Sequence, residues 1–225
     1  RALVSGPTFN YQRVIAETQA PLTESVDNGD GTYTFEFDDR IPSVYLPPYN
    51  DSPAYDESDG ELAGLPLLAG TYTVGLYGYY DYVVLGPVGK GEAFRDVGDA
   101  TANFLLGATE DIVPRDVVGL ANCNNCHVRL QARGGFRRNL TICRMCHTAG
   151  AEDRNNDGAT PGASVDFRIM IHKIHNGRNL PSVLGMTTNP DGSRDYDAEP
   201  VPYELEGFGG NVHDFSEVGL PVWPS

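Results

Sequence analysis

The chain has 225 residues, of which 40% are hydrophobic, and it carries a net charge of -15 at pH 7. That length suffices for one large domain or for two of about 100 residues. No apolar run approaches the roughly 20 residues of a membrane helix, and an acidic surface repels nucleic acid and anionic membranes, so the composition favours a globular chain with neither a membrane span nor a nucleic-acid partner.

The first 118 residues have the pattern of a β domain. Residues 31–37 alternate apolar and polar side chains after an Asn-Gly-Asp-Gly turn at 28–31, which is typical of a hairpin. Residues 71–85 are rich in Tyr and Val, and residues 100–106 supply another strand. Short strands between Gly and Pro turns predict an all-β domain of the Greek-key or sandwich (Ig-like) type.

Two further features belong to this part of the chain. The five tyrosines between Tyr72 and Tyr82 are expected to pack within the predicted strands. Residues 47–61 contain three prolines among several acids, which predicts a solvated loop.

The second part, residues 119–225, changes character. Regular periodicity fades, and the one helix that the pattern predicts covers Val165–His175 and stops at Asn176-Gly177. The apolar residues are too few and too scattered to build a core by themselves, and a large apolar cofactor would supply what is missing. The predicted fold class is therefore mixed: a β domain followed by a mostly irregular domain with short helices.

Every cysteine of the chain lies in a C-x-x-C-H motif. The two motifs are Cys123-Asn-Asn-Cys126-His127 and Cys143-Arg-Met-Cys146-His147. Thiols three residues apart can add to the two vinyl groups of one porphyrin while the adjacent His binds the iron. The motifs therefore predict two covalently bound haems c, with His127 and His147 as proximal ligands.

Two other interpretations use the cysteines alone. Their C-x2-C-x16-C-x2-C spacing also matches a structural zinc ribbon, and an exported protein could pair them in two disulfides. Neither alternative uses a His directly after each cysteine pair, and neither requires the further histidines.

Three more histidines are candidates for the distal positions of the irons. His172 and His175 lie three apart on the predicted helix, so they share a face but diverge by about 60° and suit two irons rather than one. Two bis-His haems require four histidines, and His213 is the fifth. It is a further candidate distal ligand, or else structural.

Charge is concentrated around these motifs. Residues 121–180 hold nine Arg and Lys against four acids, whereas the rest of the chain holds seven bases and 27 acids. Haem propionates are anionic, and the planar fork of arginine suits carboxylates. The basic segment is therefore expected to face the propionates.

A second metal site is predicted after the cysteine motifs. Asp153, Asn155 and Asp157, followed by Gly158, match the first half of a calcium loop. The twelfth position is Ser164 instead of Glu, so an Asn/Asp-rich turn is the alternative.

Taken together, the residues resemble the outer-membrane decahaem cytochromes of metal-reducing bacteria, of the MtrC/OmcA type. The resemblance rests on Asn28-Gly-Asp-Gly-Thr-Tyr-Thr-Phe35, both C-x-x-C-H motifs, Val165–His175 and His213-Asp-Phe-Ser. It implies a Greek-key β domain ahead of a haem domain and bis-His ligation by His172 and His175, with His213 less closely matched. It also implies a bacterial cell-surface location and electron delivery to other multihaem cytochromes or extracellular acceptors.

The chain departs from that family in having two haem motifs where the family holds ten haems. We therefore expect copies to stack into a conductive filament, with a monomeric electron shuttle or a fragment of a larger cytochrome as alternatives. The chain begins at Arg1 without an apolar leader, from which we expect an exported protein whose signal peptide has been removed.

Three functions remain to be separated: an electron carrier, a multihaem redox enzyme and a zinc-stabilised surface or binding module. The sequence carries no paired carboxylates, nucleophile or phosphate loop that stands out, and its spare histidines make an open iron position unnecessary. An electron carrier without catalytic residues is the prediction.

Overall fold

The computed structural model describes residues 1–18, 21–49, 62–86, 89–109, 111–132, 135, 137–153, 163–207 and 210–220. As far as they are described, residues 1–49 and 53–149 form one compact unit, and residues 150–225 belong to a second. Both cysteine motifs lie in the first unit. The domain boundary at residue 118 stays a prediction.

The described elements are strands joined by turns, with four short helices. The strands are β1 (Ala2–Gly6), β2 (Gln12–Thr18), β3 (Val26–Asp27), β4 (Tyr33–Thr34), β5 (Gly70–Leu85), β6 (Gly91–Leu106), β7 (Thr187–Thr188), β8 (Arg194–Asp195), β9 (Glu204–Glu206) and β10 (Val212–Asp214). The helices are α1 (Pro21–Glu24), α2 (Leu120–His127), α3 (Leu140–Cys146) and α4 (Phe167–His175). The mixed fold class is confirmed.

A four-stranded antiparallel sheet in the order β2-β1-β5-β6 organises the first unit. One face packs against α3 through a cluster of Leu3, Tyr11, Tyr77, Ile142 and Met145. In the part of the chain that the structure describes, the four long strands thus share one sheet, and a helix covers the face where a sandwich would place a second sheet.

The opposite face of the sheet is covered by loop segments around Tyr45. This cluster joins Val4, Val14 and Ile15 to two buried tyrosines, Tyr45 and Tyr72. The two phenol oxygens lie 2.9 Å apart, the Tyr45 oxygen accepts a hydrogen bond from the Leu68 amide, and the Tyr72 hydroxyl donates to the Leu68 carbonyl. Buried polar groups require such partners, so these bonds let the tyrosines fill the core.

Beyond this covered region, β5 and β6 continue together as a two-stranded arm. Residues 78–85 and 91–98 pair with each other along their whole length, whereas β1 contacts β5 only as far as Leu76. Residues 78–85 are exposed on both faces, including Tyr79, Tyr80 and Tyr82. We call this segment the β5–β6 arm.

The second unit has a small core of its own beneath α4. Tyr203 and Leu205 of the β9 region pack with Ala163, and Met170 and Ile174 of α4 lie against them. The helix begins at the N-cap Asp166, whose Oδ1 accepts from the Ile169 amide at 3.1 Å, a standard way to satisfy a free helical N–H.

Several predicted elements are confirmed and several were missed. The hairpin after residue 28 exists as β3 and β4, the 71–85 strand as β5, and the 165–175 helix as α4. The third predicted strand is the final part of β6, which starts nine residues earlier. The sequence did not reveal β1, β2, α2 or α3, and most of the predicted 47–61 loop lies outside the described residues.

A partly buried ionic network joins the sheet to the segment that leads into α3. Arg137 donates through Nη2 to Oε2 of Glu17 at 3.1 Å, and its guanidinium lies 4.8 Å from the ring of Tyr77. Glu17 also accepts from the Tyr77 hydroxyl and from Arg1. Burial opposes ionisation of Glu17, but the Tyr77 hydrogen bond and the charges of Arg137 and Arg1 outweigh it and lower the pKa of Glu17.

We predict that Glu17→Gln lowers the free energy of unfolding by about 1–3 kcal/mol at pH 7, because Arg137 and Arg1 lose their partly buried counter-ion. A carboxylate with a lowered folded-state pKa stabilises above its unfolded pKa of about 4.3, and that contribution disappears as the pH falls through the folded value. Denaturant unfolding at several pH values should therefore show the two proteins converging in acid.

The control for this prediction is Asp81→Asn, which removes an exposed partner of Arg95 on the β5–β6 arm. Exposed ion pairs contribute little, so this variant should match the wild type at every pH. Equal stability of Glu17→Gln and wild type at pH 7 would contradict the role given to the network.

Candidate functional site

The first C-x-x-C-H motif lies on α2. Cys123 and Cys126 are three residues apart on this helix, so their thiols leave from the same side, and His127 is its last residue. None of its side chains is buried. A helix of eight residues that buries nothing is marginal by itself.

The chain turns sharply immediately after His127. Val128 has φ = +56°, and the amide of Arg129 donates to the His127 carbonyl, which closes a three-residue turn. A β-branched residue in the left-handed region is strained. Val128 is also 89% exposed, so no packing of its side chain explains the conformation. The strained turn therefore lies immediately after the candidate iron ligand His127.

The second motif lies on α3, which has a better-defined start and end. Asn139 is the N-cap, and its Oδ1 accepts from the Thr141 amide at 2.9 Å. Cys143 and Cys146 again share one side of the helix, and the amide of His147 donates to the Cys143 carbonyl at 2.9 Å. The helix end therefore fixes the backbone of His147 relative to the two thiols.

The residues between these two cysteines attach α3 to the sheet. Met145 is fully buried, its carbonyl accepts from Ser5 Oγ at 3.0 Å, and its side chain lies over Gly75. A Cβ at Gly75 would approach the Met145 sulfur to 3.1 Å, which is closer than normal packing allows without a shift. The glycine thus permits the close approach of helix and sheet.

Arg144, the other residue between the cysteines, is a buried cation. It is only 7% exposed, its Nε donates to the Leu140 carbonyl at 3.1 Å, and its Nη2 donates to Thr141 Oγ1 at 3.0 Å. In the described part of the chain, Nη1 has no hydrogen-bond partner. Burial is the main cause that lowers the pKa of Arg144, and the nearby charge of Arg115 acts in the same direction.

A cavity of about 490 Å³ adjoins Arg144. Leu120, the first residue of α2, and Leu140, the first of α3, both line it, so it lies beside the N-terminal ends of the two motif helices. Its charged lining residues are Asp99, Arg115, Asp116, Arg138 and Arg144. The volume is within the range of small-molecule sites.

The two candidate distal histidines lie on α4, as predicted. Met170 and Ile174 face the core of the second unit, and His172 and His175 lie on the other side of the helix. Nδ1 of His175 is 2.8 Å from the Ile171 carbonyl oxygen, which can only accept. In the neutral ring Nδ1 therefore carries the proton, and Nε2 carries the lone pair that binds a metal.

His213 occupies a different kind of position. It lies on β10, opposite Leu205 of β9, and its ring centroid is 6.4 Å from that of Phe215. Gly207 allows the ring to lie against the hairpin, because a Cβ there would come within 2.7 Å of Nε2. Its role as a distal ligand stays a prediction.

The donor set fits c-type haem. Each motif presents two thiols from one side of a short helix with an imidazole next to the second thiol. Among the described residues, which include all four cysteines, no three or more His, Cys, Asp or Glu side chains are arranged to hold a metal, and the cysteines are thiols. The zinc-ribbon and disulfide interpretations stay as alternatives.

The predicted calcium loop is mostly outside the described residues. Asp153 is described: it is buried, and its Oδ2 accepts from the Glu206 amide at 2.9 Å. Burial, and then the charge of Asp153, raises the pKa of Tyr203 to about 12. Asn155 and Asp157 are among the undescribed residues, so calcium binding stays a prediction.

Comparison with known proteins indicates the family of the segment that carries both cysteine motifs. The family model of the outer membrane cytochrome MtrC/MtrF-like proteins, domains II/IV, matches residues 115–204. This segment is related to the MtrC/OmcA-type cytochromes. The match contains both C-x-x-C-H motifs and α4 and ends before His213, and it confirms the relationship predicted from the residues. It supports electron transfer by a multihaem cytochrome at the bacterial outer membrane or outside the cell.

The other comparisons add no relatives: no curated protein and no solved structure matches the chain. None of the helices in the described ranges has the length and apolarity to cross a membrane.

Sequence reasoning missed three features of the site. It placed neither motif on a helix, it counted Arg144 only as one of nine basic residues, and it did not recognise Asn139 as a cap. The Asn139 cap had a sequence signal, because Asn precedes the apolar Leu140 and Ile142. The burial of Arg144 had none, since no sequence pattern distinguishes it from the exposed Arg129.

Proposed function

We propose that this chain is a dihaem c-type cytochrome that carries electrons outside the cell. The observation that carries the proposal is that both C-x-x-C-H motifs lie on short helices with their thiols on one side, within the segment that matches the outer-membrane cytochromes. The family supports a carrier rather than an enzyme. The natural partners are other multihaem cytochromes or extracellular acceptors, at the cell surface of a bacterium.

The cysteines hold the cofactor covalently. Each thiol of Cys123, Cys126, Cys143 and Cys146 adds across one vinyl group, so that a carbon–sulfur bond forms, the thiol hydrogen passes to the neighbouring carbon and no group leaves. When bound, the iron supplies the chemistry by cycling between its ferric and ferrous states. His127 and His147, which follow the second cysteine of each motif, would be the proximal ligands of the iron.

His172 and His175 are the proposed distal ligands. Divergence by about 60° directs them to separate irons, and the hydrogen bond to the Ile171 carbonyl orients the His175 ring. Second-partner bonds of this kind fix the tautomer and raise ligand basicity. His213 is the third candidate and lies outside the matched segment.

We also propose that copies of the chain associate, and the β5–β6 arm is the observation that favours it. Tyr80 stacks on Tyr82 with ring centroids 6.4 Å apart, and Tyr82 stacks on Phe94 at 5.9 Å. These rings remain exposed by 72%, 40% and 41%, respectively. Contiguous exposed apolar surface and uncovered strand edges are features of association sites. Stacked copies would extend two haems into the conductive filament that the sequence suggests.

The first prediction from the proposed function concerns the covalent attachment of haem. The purified protein should be red, and its mass should exceed that of the polypeptide by two haems. Cys123→Ser combined with Cys126→Ser should remove one haem, and Cys143→Ser combined with Cys146→Ser should remove the other. Intact mass and visible absorption measure both effects. A colourless wild-type protein with the polypeptide's own mass, or one that contains zinc, would overturn the proposed function.

The second prediction concerns the distal ligands. His172→Ala and His175→Ala should each leave one iron with an open position, so that the reduced protein binds carbon monoxide at one haem of two. Ala has the highest helix propensity, so α4 should persist in both variants. His213→Ala is the comparison. If it opens an iron and one of the α4 variants does not, the ligand assignment is wrong.

The third prediction concerns association. The mass from light scattering should rise with concentration, and the triple variant Tyr80→Thr, Tyr82→Thr, Phe94→Thr should stay monomeric, because Thr keeps the strand preference while removing the aromatic surface. The control is Tyr33→Thr, an exposed tyrosine on β4. A strictly monomeric wild type would favour the electron shuttle or the fragment, and a mass that stops at the dimer would contradict the filament.

A further inference from the structure

The cavity beside Arg144 is the feature that the proposed function leaves unused. Its lining includes three guanidinium groups and two carboxylates, so one cation more than anions. Two of the three arginines have partners: Arg115 donates to the Thr8 carbonyl at 2.9 Å, and Arg138 lies 3.7 Å from Asp96. Asp99, one of the two acids, accepts from Asn139 Nδ2 at 2.8 Å.

Arg144 differs from the other two arginines in how deeply it is buried and, as far as the chain is described, in having one nitrogen without a hydrogen-bond partner. More than nine-tenths of it is inaccessible, and Nη1 makes no hydrogen bond within the described residues. A buried charge without an anion costs far more than a buried neutral group, and proteins compensate such charges with ion pairs. One end of the guanidinium is anchored by Leu140 and Thr141, and Arg144 lines the cavity. No carboxylate among the described residues forms an ion pair with it, so an anion in the cavity would compensate its charge.

The chemistry of that ligand follows from the donor. Arginine presents planar N–H groups that match a carboxylate, and the apolar residues Val118, Leu120 and Leu140 line the same cavity. A carboxylate attached to an apolar body satisfies both requirements. The cavity also adjoins the first residues of the helices that carry the two cysteine motifs.

We propose that the Arg144 cavity is a carboxylate-binding site and that its occupant is a propionate of one of the covalently attached haems. This inference rests on the proposed function, because it requires haem at the cysteines. The propionates lie on the edge of the porphyrin opposite its thioether links, so the occupant comes from the haem on Cys123 and Cys126. Arg144 then compensates the propionate charge and tunes the potential of that haem. A free small carboxylate is the other source of the same chemistry.

The test compares the dihaem protein with its Arg144→Gln variant by spectroelectrochemistry and resonance Raman spectroscopy. Loss of the positive charge favours the ferric state, so the midpoint potential of one haem should fall. The expected change in the reduction equilibrium is about threefold to tenfold, where tenfold is 59 mV for one electron. The propionate bending vibration of the same haem should shift, because it loses its hydrogen-bond donor.

Two variants make the comparison specific. Arg144→Lys keeps the charge without the planar fork, so the midpoint potential should lie close to that of the wild type while the propionate vibration stays altered. This variant also replaces Arg144→Gln if Arg144→Gln does not accumulate. Arg194→Gln removes an exposed arginine outside the cavity and should change neither reading.

The outcomes separate the two proposals. Two haems in every variant, with unchanged potentials and propionate vibrations in Arg144→Gln, would overturn the carboxylate site and leave the proposed function intact. A colourless wild-type protein would overturn both. Succinate is the probe for the other source: saturable binding to the wild-type dihaem protein that Arg144→Gln abolishes, without a change in the propionate vibration, would overturn the haem as the occupant.

Discussion

The contact of Ile142 and Met145 with the sheet fixes the second cysteine motif in place. Three residues of β1 and β5 form the receiving surface: Leu3 packs against these side chains, Gly75 leaves room for the methionine sulfur, and Ser5 bonds to the helix backbone. A cofactor site needs a rigid support, and here Met145, which lies between the two cysteines, is itself part of the core. A seven-residue helix would not hold its shape without that packing.

The two motifs share a sequence pattern but not an environment. The thiols of α3 are half-buried on a helix that is packed and capped, whereas α2 has no buried side chain and is followed by a strained turn. Burial, hydrogen bonding and nearby charge are the terms by which a protein sets the potential of a haem. If both motifs hold haem, as proposed, these unequal surroundings would give the two haems unequal potentials, and that difference would give electron flow a preferred direction.

The parts of the fold that the sequence predicts are those with a strong local signal. The α4 helix combines an amphipathic pattern with a capping Asp166 and a terminal Asn176-Gly177, and the hairpin at 28–31 follows from its turn residues. The α2 and α3 helices are too short to show a period, and their stability comes from contacts distant in sequence. The chemistry of the cysteines could be predicted because it depends on their spacing in the sequence. The burial and hydrogen bonding of Arg144 could not, because they depend on the tertiary structure.

The tyrosines of β5 show the limit of reasoning from strand composition. Tyr72 and Tyr77 are buried as expected, but Tyr79, Tyr80 and Tyr82 follow on the same strand after the cover of the sheet has ended. The alternation of residue types is continuous across that point, so composition alone does not mark where the core stops.

The far end of the β5–β6 arm lies beyond the residues that pack α3 against the sheet. At about 3.4 Å per residue, eight paired residues carry the end of the arm on the order of 25 Å from the packed part of the sheet. Val97 and Asp96, at the base of the arm, pack against the α3 cluster and pair with Arg138, respectively, whereas residues 82–85 and 91–94 beyond them are exposed. A substitution at this far end can therefore alter the surface offered to a neighbouring molecule without changing the packing that holds the second cysteine motif.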